Sequence, residues 1–407
     1  MSLWDATAIS VGAVIGAGIY VVVGVAAGYA GSALAVSTAL AAVVSVFTAL
    51  SFCELAAWQP LEGSIYEYVY RLISPFAGFL TGWMWIVSNT FAGAAVALGF
   101  ASYLHALFPA FSPSWAAAML CLFFTVLNFV GIRQSALLNN ILVVAKLGIL
   151  GFFVVYGALY TNPLNFAGFN PFQLGALYAA FYIFFAYGGF ARVAVVAEEV
   201  KDARRNVPRA ILLSLLISTA VYVSVGVVAV GLVGAQRLAE SSSPLTGAIK
   251  ATGNVAAAHL VSAGGLIATA SVLLTAILGV SRMMYAMARR GDLPKKLGRL
   301  HPAFNTPHYA VWITGAAMTG LALFVDLTGV VAVSTFALLF YYTLANVAAL
   351  KIKNHKRRYP KAVSILGAAT CLTFLATTLP TKPEAWTIGI ATIIVGVVYY
   401  VVEMKLS

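Results

Sequence analysis

Two glycine-rich stretches decide the fold: GAVIGAGIY at residues 12–20 and FFAYGGFARV at residues 184–193. Each lies inside an apolar run long enough to cross a bilayer, where glycine costs up to about 1 kcal/mol relative to alanine in a helix interior. One such span alone could be packing on a neighbour through its small residues. Two of them, in the first and sixth runs, predict interrupted helices at corresponding places in two five-helix repeats. An odd repeat length forces opposite topologies, and the binding site of such a pair lies at the membrane midplane.

The rest of the chain fits this frame. Its 407 residues are 62% hydrophobic and 9% charged, against about 45–50% and about 25% in soluble domains, so no soluble packing hides this much apolar surface. The charges fall between runs of about 20 residues, the length that crosses roughly 30 Å of hydrocarbon. These runs predict spans near residues 6–30, 32–57, 76–106, 113–132, 137–160, 172–196, 210–233, 255–287, 308–325, 330–350, 362–379 and 385–402. The expected fold class is an all-α integral membrane protein of about twelve transmembrane helices, with a 5+5 inverted-repeat core and discontinuous helices one and six. Residues 1–160 would form the first five-helix repeat, 161–350 the second, inverted one, and 351–407 two peripheral transmembrane helices.

Lysine and arginine placement predicts orientation, because basic loops stay on the cytoplasmic side. With both termini inside, Arg71, Arg133, Arg192, the 201–209, 282–299 and 351–361 loops and Lys405 are cytoplasmic, and only Arg237, Lys250 and Lys382 lie outside. The net charge of +12 therefore reflects topology in a multi-pass cell-membrane protein, not affinity for nucleic acid. Cys53, Cys121 and Cys371 fall within spans without metal or redox spacing and read as packing residues. No cleavable leader is expected, since the first five residues lack a basic region.

Unwound backbone at membrane depth is tolerated only where it lines a cavity or is buried in protein. A free amino acid suits such a cavity: half-helix N-termini present N–H groups to its carboxylate, and freed carbonyls accept from its ammonium. From the third span, Trp85 and Asn89 are one turn apart and Asn89 is a candidate to face the site, the alternative being a helix-to-helix hydrogen bond. From the eighth, Ser271 and Thr275 share a face and could support an ion-site region, although such hydroxyls often bond their own backbone. Glu198 with Arg204 reads as a gating pair in a mixed-charge loop, or as a plain solvated loop.

Four separated motifs carry a family resemblance: residues 12–20; SFCELAAWQPLEGSIYEYVYR at 51–71 with the following PFAGFLTGWMWI; FFAYGGFARVAVVAEEVKDARRNVPRAI at 184–211; and SRMMYAMARRGDLP at 281–294. In order and spacing the chain resembles the amino acid-polyamine-organocation superfamily, specifically its amino acid permeases. The resemblance implies a secondary transporter working by alternating access around a central site. It implies backbone contacts to an amino acid substrate from Ile15, Gly16, Ala17 and Gly18, with Phe185, Ala186 and Gly188 completing the pocket and Phe185 acting as an aromatic gate. One departure is that Ala191 stands where many members carry an acid, so no acid-based coupling is expected there.

Lys146, within ILVVAKLGILGFFVV of the fifth span, is a basic residue with no easy place in a loop. It either snorkels to the headgroups or lies in the bundle interior and exchanges a proton. In some family permeases a fifth-helix lysine that it resembles replaces a sodium ion, which implies protons as the coupling ion and no other cofactor. The expected function is thus proton-coupled symport of amino acids with Lys146 as the titrating group, or alternatively ion-independent exchange of amino acids or polyamines. With no acid in the pocket, neutral amino acids are favoured over cationic amines. An intramembrane enzyme is disfavoured because His105, His259, His301, His308 and His355 are scattered near helix ends. Uphill uptake would separate a transporter from a channel or sensor, and oligomeric state stays open.

Overall fold

A computed structural model describes residues 1–16, 18–59, 64–131, 136–353 and 357–406. Among them nine stretches are long and apolar enough to cross a membrane, and none of the regular structure is strand. The first stretch, Leu3–Trp58, has 56 residues, about 84 Å of helix, so it must fold back and cross twice. The reversal falls at Gly31, whose φ of 56° places it where a side chain is disfavoured. Two shorter apolar helices complete twelve crossings.

The first crossing is α1 (Leu3–Val14) and α2 (Val23–Ala30). Ser2 and Asp5 form a reciprocal capping box that starts α1, and Asn140 donates a second hydrogen bond to Asp5. The helix then stops at Ile15, which is extended at φ −77° and ψ 93°, and resumes through a π-type turn at Gly18–Val22. The second crossing is α3 (Leu34–Trp58), followed by the short α4 (Ser64–Leu72). The third to fifth are α5 (Pro75–Leu107), α6 (Pro113–Val130) and α7 (Ala136–Ala158). The sixth is α8 (Leu174–Tyr187), which gives way at Gly188 and Gly189 to a 3-10 segment, Phe190–Glu199. Beyond it run α9 (Ala203–Val233), the short α10 (Ala235–Glu240) and α11 (Pro244–Lys250), α12 (Val255–Arg290), α13 (His308–Phe324), α14 (Leu327–Leu350), α15 (Lys361–Thr377) and α16 (Pro383–Leu406).

The packing has a regular stride. The second crossing packs on the seventh (α3 on α9), the third on the eighth (α5 on α12) and the fourth on the ninth (α6 on α13). The first and sixth meet at their breaks. Close approach depends on small residues: a Cβ on Gly315 would fall 2.0 Å from Thr125 Oγ1, and one on Gly93 2.4 Å from Met318 Cε. Many buried hydroxyls satisfy themselves on their own helix, as Thr81 does on Ala77 O at 2.7 Å. Others join helices, as Ser51 to Ser364 at 2.9 Å and Asn346 to Thr48 at 3.1 Å. The three cysteines are buried in this packing, Cys53 against Pro208 O and Cys371 against Thr48. Exposed Trp115, Met119, Phe123, Val144 and Val155 give α6 and α7 an apolar outer face suited to lipid.

At one end of the bundle α4 is tied to the end of α12. Glu67 pairs with Arg290 at 2.9 Å and with Arg71 at 2.5 Å. The Arg290 guanidinium lies 4.1 Å from the centre of the Tyr70 ring. Tyr66 donates to Asp292, and burial holds the Asp292 carboxyl above its ordinary range.

Candidate functional site

Breaking two helices in an apolar medium frees carbonyls that need donors. In this chain neighbouring spans supply them. On the first crossing, Gly12 O and Ile15 O each accept from Lys146 Nζ at 3.2 Å, and Val14 O accepts from Tyr222 Oη at 2.7 Å. Tyr20 O accepts from Tyr103 Oη at 2.5 Å. On the sixth, Ala186 O accepts from Tyr222 Oη and Gly188 O from Tyr342 Oη, both at 3.2 Å, and Phe190 O accepts from Ser10 Oγ at 2.9 Å. Tyr222 thus bridges both breaks from α9. Tyr222→Phe leaves those carbonyls short of a donor in a buried place, at a cost of about 1–3 kcal/mol. The expected result is a lower thermal unfolding midpoint in detergent and slower uptake than the unaltered protein.

The breaks also touch directly. A Cβ on Gly18 would lie 2.3 Å from Ala186 Cβ, and one on Gly189 would lie 2.5 Å from Ala13 C. Only glycine lets the two backbones come this close.

Around this contact is a cavity of about 60 Å³, against roughly 10–15 Å³ for one water on the same measure, so it has room for a few water-sized groups. The first crossing lines it with Ala13, Val14, Gly16 and Gly18, and the sixth with Phe185, Ala186, Gly188, Gly189 and Arg192. Ser88, Asn89, Ala92 and Val96 come from α5, Val272 and Ala276 from α12, and Ser334, Leu338 and Tyr341 from α14.

Of the residues singled out in the sequence, the cavity gathers Gly16, Gly18, Asn89, Phe185, Ala186 and Gly188. Ile15 does not line it, since its carbonyl turns to Lys146, and neither does Trp85, whose carbonyl accepts from the Asn89 amide at 2.9 Å. Ala17 lies outside the described residues, as do His355 and the side chain of Glu198. Arg204 is exposed and has no ion-pair partner among the described side chains. Ser271 and Thr275 do not reach Lys146: Ser271 Oγ donates to Ala268 O and Thr275 Oγ1 to Val272 O, the local capture open to hydroxyls in helices.

Lys146 is 1% exposed, so it does not snorkel. Its hydrogen bonds run to the broken first helix, and no carboxylate lies within ion-pair distance among the described residues. Gly12 makes the approach possible, since a Cβ there would lie 2.9 Å from Val143 Cγ2.

The sequence reading missed Arg192. It was expected on the cytoplasmic side, but the 3-10 segment sets it on the cavity wall, where Nη2 lies 3.4 Å from Asn89 Oδ1. A signal was present, because Arg192 is only three residues past Gly189, inside the apolar stretch Leu174–Ala194. The tyrosines that cap the breaks gave none, since buried and bonding tyrosines read alike in sequence.

A polytopic helical bundle with two broken crossings around a small central cavity is the architecture of a solute transporter. The chain matches the family described as amino acid permease over residues 1–402, and it belongs to that family. It is 38% identical over 403 residues to an uncharacterised transporter of Mycobacterium tuberculosis, covering 98% of this chain and 90% of the relative. It is similar to a methylthioribose transporter of Bacillus subtilis, 31% identical over 92% of this chain and 87% of the relative. A branched-chain amino acid permease of the same organism is 29% identical over 90% of this chain and 83% of the relative.

Proposed function

We propose that the chain is a proton-coupled amino acid symporter of the cell membrane, with both termini cytoplasmic, working by alternating access between two inverted five-helix repeats. The single observation that carries the coupling is the position of Lys146, buried and hydrogen-bonded to Gly12 O and Ile15 O at the break of the first crossing. A protonated amine makes charge-assisted bonds about twice as strong as neutral ones. Gaining a proton therefore draws the broken helix onto α7, and losing it weakens that hold. The proton and the substrate act on one element, the segment at Gly16–Gly18, and this shared element is the coupling.

The substrate's carboxylate and ammonium are assigned to the backbone at Gly16, Gly18 and Gly188, with Phe185 as the ring that closes over them. A relative named for branched-chain amino acids supports an α-amino acid as ligand. The stride of five crossings in the packing supports repeats at residues 1–160 and 161–350. The basic bias that supports the orientation survives without Arg192, which lines the cavity, because only Arg237, Lys250 and Lys382 remain on the other side.

The test is uptake of radiolabelled amino acids by purified protein in liposomes under an inward proton gradient, a sodium gradient, or neither. Uphill accumulation with protons alone is expected. Accumulation only with sodium, or only against internal amino acid, would overturn symport in favour of sodium coupling or exchange.

A further inference from the structure

We propose that the central cavity selects amino acids with a side-chain carboxylate, and that Arg192 is the residue that receives it. The inference rests on the amino acid reading above and adds the substrate class to it.

The described residues that line the cavity include one cation, Arg192, and no aspartate or glutamate. The Arg192 guanidinium has five N–H donors, and its hydrogen bond is the long one, 3.4 Å, to Asn89 Oδ1. Among the described residues no carboxylate pairs with it. A guanidinium lining a cavity in a low-dielectric wall, with no carboxylate partner among the described residues, is an incomplete pair, and its planar fork matches a carboxylate. Lys146 is close behind the same break and also lacks a carboxylate partner, so the region carries an excess of basic groups. A ligand with one negative charge more than a zwitterion offsets that excess.

Geometry separates this group from the α-carboxylate. The would-be Cβ of Gly16 meets Val272, at 2.8 Å, whereas that of Gly279 meets Arg192 Nη1, at 3.0 Å. Val272 and Gly279 both lie on α12, seven residues apart, or about 10 Å along its axis. The first break and the guanidinium thus meet α12 at different levels, as the two carboxylates of aspartate or glutamate require. Gly279 itself leaves the space that the guanidinium occupies, with Trp85 Cη2 at 3.4 Å on the other side.

The arrangement reverses the preference for neutral amino acids that an acid-free pocket suggested. It also disfavours cationic amino acids, whose side-chain charge would face Arg192 without a counter-ion.

The experiment compares each acid with its amide, which differ in charge at nearly equal shape. Binding of L-glutamate, L-glutamine, L-aspartate, L-asparagine and L-alanine to the full-length protein in lipid nanodiscs is measured directly, then repeated on Arg192→Gln and Arg192→Lys. Glutamate or aspartate is expected to bind about tenfold or more tightly than its amide, the value of one charge-assisted pair. Arg192→Gln narrows that ratio to within about threefold, and Arg192→Lys keeps part of it because the charge stays while the fork is lost. Equal binding of acid and amide by the unaltered protein overturns the inference, and this comparison needs no variant to fold. So does a uniform loss across all five ligands in Arg192→Gln, which would mean that Arg192 holds the α-carboxylate. Binding of alanine and glutamine but of neither acid sinks the side-chain assignment and leaves the amino acid reading standing. Binding of none of the five sinks both.

Discussion

Gly189→Ala will abolish transport, and it will do so by sterics alone. The residue's φ of −92° is acceptable to any amino acid, so the substitution introduces no backbone strain. Its Cβ, however, would sit 2.5 Å from Ala13 C, 2.7 Å from Ala13 O and 2.7 Å from Val14 N. All three atoms are backbone, and no rotamer change can move them aside. The first and sixth crossings must separate by several tenths of an ångström, which lengthens the hydrogen bonds from Tyr222 and Ser10 that hold the same contact. Overpacking of this kind costs about 1–3 kcal/mol, and more where the neighbours are rigid. Uptake in liposomes should fall to the level of empty vesicles, with a lower unfolding midpoint in detergent. The control is Gly151→Ala on α7, outside the cavity, where an added Cβ meets no atom within 4 Å. Equal effects at the two positions would show that the close contact is not what matters.

Lys146→Ala is the second substitution with a large expected effect, and its signature is loss of uphill accumulation under a proton gradient. The change removes the exchangeable proton and leaves Gly12 O and Ile15 O without the donor that now serves them. Lys146→Arg separates these roles. A guanidinium can donate to the carbonyls but does not deprotonate in proteins, so the variant should recover much of the folding stability and none of the proton-driven accumulation. Full proton-dependent accumulation by the alanine variant would remove Lys146 from the coupling mechanism. Parallel recovery of stability and accumulation in the arginine variant would make the lysine a structural tie.

The two breaks were legible because glycine runs in an apolar span have few other readings, and the crossings were legible because charges are excluded from hydrocarbon. For Lys146 the sequence left snorkelling and burial both open, and the fold decides for burial because the break of the first crossing supplies carbonyl partners deep in the bundle. The cavity wall was harder to read for two different reasons. Arg192 was placed on the cytoplasmic side by its charge, whereas the 3-10 segment beyond the break rises further per residue than an α-helix and changes which face each side chain takes. Ser271 and Thr275 drew attention as polar groups sharing a face, yet a hydroxyl one turn below its own carbonyl has a partner before the fold supplies one. Tyr222, which bridges both breaks, was indistinguishable in sequence from the other buried tyrosines. Its role follows from α9 passing behind both crossings, a relation set by tertiary packing and not by spacing along the chain.

The burial of Cys53, Cys121 and Cys371, each with no measurable exposure, makes the native chain a silent background for thiol chemistry. A bulky maleimide-bearing dye or spin label cannot reach any of the three in the folded protein. A cysteine introduced at an exposed position such as Lys250 or Arg204 would then carry the whole signal. Pairs of such positions at opposite ends of the bundle would report the opening and closing of each side by distance, with the native thiols left in place.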